Sequence, residues 1–157
     1  MKFKNMFSPI QIGPMTVKNR FVVPPMGNNF ANSDGTWSDE SVAYYGERAK
    51  GQFGLITIEA TVVHKGAKGG PKKPCLYDDN SIESLKKITD ACHEEGAKVS
   101  IQLQNAGPEG NAKNAGAPIQ AATAIASADG RDIPEEIKKK KVYELVKGYG
   151  EAAERAM

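Results

Sequence analysis

The sequence predicts an α/β fold with a parallel sheet, and three observations lead to this prediction. Short apolar runs alternate along the chain with segments whose apolar residues recur at helical spacing. The run at residues 55–63 is rich in β-branched residues and mostly apolar, as strands covered on both faces usually are. Loops rich in glycine and polar residues separate the units. This alternation predicts right-handed βαβ crossovers.

Composition excludes several classes of protein. The 157 residues carry 21 basic and 19 acidic side chains, a net charge of +2, so we expect neither a nucleic-acid nor a membrane-surface partner. No secretory signal and no apolar run of membrane-spanning length is present. The two cysteines, Cys75 and Cys92, lack metal-ligand spacing and are expected to be free thiols. The sequence therefore predicts a soluble cytoplasmic protein without a metal site.

The first part of the chain predicts a hairpin and one strand–helix unit. Residues 8–17 are typical of two short strands around a Gly-Pro turn. The apolar run at residues 21–23 predicts a strand that the following proline pair must end. Ser38 is a suitable N-cap for a helix that should end near Gly51.

Two further units follow. Residues 55–63 predict the second strand, and Asp79 or Asn80 is expected to cap the next helix. Residues 98–103 predict the third strand, followed by a long loop from 105 to 132. Pro134 suits the first turn of a final helix. The apolar positions of the last two helices are expected to be Ile82, Leu85, Ile88 and Cys92, then Ile137, Leu145, Tyr149, Ala152 and Ala156.

Three strand–helix units are fewer than a closed barrel needs. A TIM-type (β/α)₈ barrel has eight and typically about 250 residues. We therefore predict an N-terminal β-hairpin plus the first three βα units of such a barrel. On this interpretation residues 1–157 are the N-terminal part of one domain, which stops before a fourth strand.

Several ordered motifs resemble the old yellow enzyme family of FMN-dependent ene-reductases, particularly its bacterial NADH:flavin oxidoreductase and dienoyl-CoA reductase-like branch. The similarity runs almost from end to end, and no single motif would be specific alone. The matching segments are residues 6–13, 17–21, 24–27, 44–51, 54–60 and 96–103, with Gly107 after them.

The resemblance implies FMN as cofactor, NAD(P)H as reductant, and reduction of activated C=C bonds in small enoyl or enone substrates. It places the family's first flavin loop at Pro24, Pro25, Met26 and Gly27. Ala60 matches a small residue that admits the isoalloxazine ring. Gln102 matches the glutamine whose amide pairs with a flavin carbonyl and the adjacent N–H.

Without the resemblance, each of these residues has a plainer interpretation. The proline pair would be a strand terminator followed by a core methionine, Met26. Ala60 would be an ordinary small core residue, and Gln102 would face solvent.

The sequence departs from the family at two places. Where relatives commonly have His-Ala-Gly-Arg, this chain has Asn105-Ala106-Gly107-Pro108. Gly27 stands where some relatives carry a redox-tuning cysteine or a threonine. Both departures leave the substrate class and the flavin potential open.

The family's proton donor, flavin-edge arginine and phosphate loops would lie beyond Met157. We therefore expect no catalytic residue here, and FMN held weakly or not at all by this chain alone. The alternative function is a non-catalytic half-barrel fragment that associates with itself, as a homo-oligomer, or with a separate C-terminal half.

Of four other features, two have two interpretations each, namely His64 and the loop at residues 64–74. His64 begins a loop and is either a substrate-edge residue or a loop residue, and His93 is expected on a helix surface. The loop at residues 64–74 holds four lysines among three glycines and is either a phosphate cradle or a solvated loop. If the intact enzyme takes acyl-CoA substrates, these lysines would meet the phosphates. The four lysines at 138–141 are expected to be solvated.

Overall fold

The structure, a computed structural model, describes residues 3–128 and 132–157. It begins with the predicted hairpin, in which β1 (Ile10–Ile12) pairs antiparallel with β2 (Met15–Val17). Gly13 makes the turn with a positive φ of 55°, a conformation that glycine adopts without steric cost. The hairpin prediction is confirmed.

The centre of the fold is a three-stranded parallel sheet in the order β3–β4–β5. Its strands are β3 (Val22–Val23), β4 (Leu55–Val62) and β5 (Lys98–Gln104). All three strands were predicted from the apolar runs. The sheet is open, and the described residues contain no closed barrel.

Two helices connect these strands. Helix α1 (Asp39–Lys50) is capped by Ser38, whose hydroxyl accepts a hydrogen bond from the Ser41 backbone N–H at 3.2 Å, as predicted. Helix α2 (Ile82–Glu94) buries Leu85, Ile88 and Cys92. Ile82 is instead 39% exposed, because it begins the helix at the edge of the core.

The predicted cap of α2 is wrong. Neither Asp79 nor Asn80 caps the helix, because both lie in a 3₁₀ turn (Asp79–Ser81) that precedes it. The Asp78 side chain caps this turn by accepting from the Asn80 backbone N–H at 3.2 Å. Ser81 is then the residue before the helix and makes no side-chain capping bond.

The long loop and the start of the final helix also differ from the prediction. The loop contains a short helix, α3 (Ala112–Ala115), and strand β6 (Gln120–Ala121), which pairs parallel with β7 (Glu135–Glu136). Pro134 precedes β7 and is not in the first turn of α4 (Lys139–Arg155). Ile137 also lies before α4, because its backbone N–H donates to Ala121 and so ties this segment to β6.

The helices cover one face of the sheet and leave the other uncovered. The covered face carries Ile56 and Ile58, both fully buried. They pack in one core with side chains from α1, α2 and α4, including Tyr45, Ile88 and Ala152. We call the opposite side the open face. By strand alternation and register it carries Val22, Leu55, Thr57, Ser100 and Gln102.

No helix within residues 3–128 and 132–157 is long and apolar enough to cross a membrane.

Candidate functional site

The carboxyl ends of the three parallel strands bring the predicted cofactor residues to one edge of the sheet. Residues 24–27 follow β3 directly, while Ala60 lies in β4 and Gln102 in β5. Ile58 pairs with Ile101 and Thr61 with Leu103, so a β-bulge places Glu59 and Ala60 alongside Gln102. Such edges are where α/β sheets place their ligand sites.

Gln102 is exposed on the open face. Its amide makes no hydrogen bond to any other side chain or backbone group in the described part of the chain. An amide without a partner offers both a donor and an acceptor to a ligand. The exposure agrees with the plainer interpretation of Gln102 as a solvent-facing residue, and the amide also fits a flavin, whose pyrimidine edge presents carbonyls beside an N–H.

The loop after β3 is accessible. Met26 is 58% exposed, so the interpretation of Met26 as a core residue is wrong. Pro24 and Gly27 are exposed, and Pro25 and Ala60 are half-buried. A planar ring could therefore approach this loop without displacing core side chains.

Glu59 is a residue at this edge that the sequence analysis missed. Its side chain is fully buried, and one carboxylate oxygen accepts from the Asn28 backbone N–H at 3.3 Å. The same oxygen lies 4.0 Å from Lys73 Nζ. Among the described residues, the other oxygen has no hydrogen-bond partner, and neither does the buried Asn28 Nδ2. A single charged residue inside a mostly apolar strand is the signal that identifies such a residue.

Burial sets the protonation of this carboxyl group. Removal from water raises the pKa of Glu59, while the Asn28 hydrogen bond and the Lys73 charge oppose the rise. Behind it, the Glu59 backbone N–H donates to the Tyr45 hydroxyl at 2.9 Å. Burial raises the pKa of Tyr45 strongly, so this phenol stays neutral.

The lysines of the 64–74 loop do not act as one group. Lys68 is buried and donates to the Ser33 carbonyl at 3.0 Å, which makes it a structural residue. Lys73 faces Glu59, and Lys65 lies 5.9 Å from the Tyr77 ring centroid. Lys72 is exposed. These contacts contradict both a phosphate cradle formed by all four lysines and a wholly solvated loop.

His64 and Cys75 lie next to the end of β4, whereas Cys92 and His93 lie on α2. His64 Nδ1 accepts from the Gly66 backbone N–H at 3.1 Å, and burial lowers its pKa. His93 is exposed on α2, as predicted. Cys75 and Cys92 are buried free thiols, and burial raises the pKa of both. No cluster of metal-binding side chains occurs among the residues described.

Asn105 replaces the expected histidine after β5 and closes a turn. Its side-chain oxygen accepts from the Gly107 backbone N–H at 3.2 Å, where Gly107 has a positive φ of 54°.

The lysines at 138–140 are exposed, whereas Lys141 forms an ion pair with Glu144 at 2.7 Å.

Together, a parallel β/α sheet and an uncovered edge at its carboxyl ends define an α/β protein with a place for a ligand at that edge. Residues 5–157 match the model of the NADH:flavin oxidoreductase / NADH oxidase family, and the chain belongs to this family. The description of this family names NADH and a flavin as its redox partners.

Curated relatives agree with this assignment. The chain is 35% identical over 154 residues to the NADPH dehydrogenase of Bacillus subtilis (strain 168), covering 98% of this chain and 45% of the relative. It is 36% identical to the NADPH dehydrogenase of Listeria monocytogenes serotype 4b (strain F2365), covering 96% of this chain and 44% of the relative. The chain therefore spans just under half the length of these relatives.

Solved structures show the same relation. The old yellow enzyme homologue from Zymomonas mobilis superposes with a TM-score of 0.88 at 28% identity, covering 97% of this chain and 45% of that one. A 2-naphthoyl-CoA reductase in complex with 2-naphthoyl-CoA gives a TM-score of 0.92 at 28% identity. The match covers 98% of this chain and 26% of that one. The sheet and helices of this chain thus correspond to part of a TIM barrel.

Proposed function

We propose that this chain is the FMN-binding first part of an oxidoreductase that reduces activated C=C bonds of enoyl or enone substrates with NADH or NADPH. The observation that carries the proposal is the convergence of Gly27, Ala60 and Gln102 at the carboxyl ends of three adjacent parallel strands. Family membership and the unpartnered amide of Gln102 support it.

Each residue has a role that follows from its chemistry. Gln102 donates to a flavin carbonyl and accepts from the neighbouring N–H, which orients the ring. Pro24 and Pro25 fix φ and lack a backbone N–H, so the loop keeps one shape. Ala60 leaves room for the ring because its side chain ends at Cβ. Bound FMN would supply hydride transfer.

Two requirements of the reaction fall outside these residues. The substrate needs a proton donor at the carbon next to its carbonyl, together with donors that hold the carbonyl oxygen. FMN needs a site for its phosphate. We expect both to be provided by a segment beyond these 157 residues, so FMN should bind this chain weakly.

Binding of FMN to the ¹⁵N-labelled chain tests the proposal directly. Amide shifts recorded up to millimolar FMN detect weak binding, and the amides of Gly27, Ala60 and Gln102 should move. We expect Gln102→Leu to weaken binding about tenfold, which corresponds to about 1.4 kcal/mol. Gln11→Leu is the control, because Gln11 lies in the separate hairpin. No shift change in the wild-type chain would contradict the proposal.

The exposed apolar surface favours a second candidate, a half-barrel that associates with itself or with a separate C-terminal part. Val22 is 49% exposed on the open face, and β5 has no strand on its outer edge among the described residues. Sedimentation together with the visible spectrum separates the two. A colourless stable assembly of this chain alone would favour the non-catalytic alternative.

A further inference from the structure

An ammonium group without a hydrogen-bond acceptor lies at the candidate flavin edge. Lys73 Nζ is 4.0 Å from the buried Glu59 carboxylate, too far for a hydrogen bond. The described residues offer it no other acceptor. The Lys73 side chain is only 25% exposed. The ammonium group is therefore held near Glu59 by charge attraction alone, and its three N–H donors remain available to a ligand.

This ammonium occupies the space that a side chain at position 27 would fill. A Cβ added to Gly27 would lie 2.7 Å from Lys73 Nζ and 3.8 Å from Glu59 Oε2. The φ of Gly27 is not in the left-handed region, so the backbone does not require glycine there. The Lys73 ammonium explains the glycine at position 27 instead, because it reaches this place from another loop and leaves no room for a side chain.

The fold anchors the lysine at its backbone. The Val62 backbone N–H donates to the Pro74 carbonyl at 2.8 Å, and the Leu76 N–H donates to Val62 at 2.8 Å. The segment that follows Lys73 is therefore tied to the end of β4. The lysine stem passes Gly70, where an added Cβ would meet Lys73 Cγ at 3.5 Å. Its position is thus set by the fold at several points.

We propose that Lys73, positioned by Glu59, places its positive charge against the bound flavin at Gly27 and favours the reduced cofactor over the oxidised one. This inference rests on the proposed function. A neutral ring that accepts a hydride gains one negative charge until a proton follows. A fixed cation in a partly dry site lowers the energy of that charge far more than a solvated one would.

The test compares the affinity of the full chain for oxidised FMN and for anaerobically reduced FMN, both from amide shifts. The FMN phosphate contributes to both affinities, so its effect largely cancels in their ratio. We expect Lys73→Met to reduce the preference for reduced FMN five- to tenfold, a tenfold change being about 30 mV for a two-electron couple. Lys73→Arg should largely restore the preference.

Two more variants complete the test. Lys72→Met removes the same charge from an exposed neighbour and should leave the ratio unchanged. Gly27→Ala should displace the ammonium and reduce the ratio as Lys73→Met does, without removing a charge from the chain. Because the atom displaced is the end of a flexible side chain, Gly27→Ala should still fold, which circular dichroism can verify.

The outcomes separate this inference from the proposed function. If wild type and Lys73→Met have the same ratio of affinities for reduced and oxidised FMN, the proposed role of Lys73 is wrong, but the proposed FMN site is not affected. Equal loss in Lys72→Met and Lys73→Met would mean a general charge effect and also overturns the inference. A wild-type chain that gives no shifts with FMN overturns both proposals.

Discussion

The two faces of the β3–β4–β5 sheet differ in what their side chains do. Ile56 and Ile58 lie on the covered face and are fully buried beneath the helices. Thr57 lies between them in sequence and points to the open face, where its hydroxyl contacts that of Ser100 at 2.9 Å. The same strand thus carries apolar packing on one side and polar groups on the other.

This difference separates stability from ligand binding in the molecule. Burial of apolar area on the covered face is the main source of folding free energy. The open face contributes little packing and carries Gln102, which is exposed. Glu59 is an exception to this pattern, because its side chain is buried near the end of β4, where it accepts a hydrogen bond from the Asn28 backbone N–H. Substitutions on the two faces should therefore have different effects.

Ile58→Ala should have the largest effect. Ile58 is fully buried in the core that the helices form with the sheet. Loss of its side chain leaves a cavity and should lower the free energy of unfolding by about 2–5 kcal/mol. Urea denaturation followed by circular dichroism measures this loss. A loss below about 1 kcal/mol would mean that the covered face is not the dry core described above.

Tyr45→Phe should have the next largest effect. It removes the hydroxyl that accepts from the Glu59 backbone N–H and leaves a buried donor without a partner. We expect a loss of about 1–3 kcal/mol in urea denaturation. Tyr143→Phe is the matched control, because Tyr143 is 63% exposed and should show almost no change. Equal effects in the two variants would contradict the role of this hydrogen bond.

The strands of the sheet could be predicted because their apolar runs are local signals. Residues 21–23, 55–63 and 98–103 each predict a strand, and each forms one within a residue of its ends, although only β4 is largely buried. The Ser38 N-cap could be predicted for the same reason, because its sequence signal is also local. The cap of α2 was missed because three neighbouring polar residues can each accept a backbone N–H, and tertiary contacts decide among them.

The candidate site could be predicted only where one residue carries the signal. Pro24–Gly27, Ala60 and Gln102 were predicted from motifs, and their roles toward FMN stay predictions. The contact between Lys73 and Gly27 joins residues from two loops, and no local pattern indicates it. The pairing of β6 with β7 was missed for the same reason, since each strand has only two residues.

Glu59→Gln should change how stability depends on pH. Burial raises the folded-state pKa of Glu59, and Lys73 is the charged group that faces it. The contribution of Glu59 to stability is therefore fully present below its unfolded-state pKa, which is about 4.3, and is lost as the pH rises through the raised folded-state pKa. A glutamine does not titrate. The stability of the variant relative to wild type should thus increase from acid to neutral pH.

Urea denaturation of both proteins at several pH values measures this difference, and other carboxyl groups cancel in the comparison. We expect a change smaller than that of a core truncation, because Lys73 opposes the rise in pKa. A difference that stays constant with pH would mean that Glu59 titrates normally, and therefore that water reaches this end of β4.

Thr57→Val should have the smallest effect on stability. The substitution keeps the shape of the side chain and removes only the hydroxyl that contacts Ser100. A hydrogen bond of this kind contributes about 0.5–1.5 kcal/mol net, and water can reach Ser100 on the uncovered side, so we expect a loss below about 1 kcal/mol. Ile58→Ala, one residue further along the same strand, is the direct comparison. If Thr57→Val cost as much as Ile58→Ala, the open face would be packed against another surface in solution. Such a result would favour the associating half-barrel over a face available to FMN.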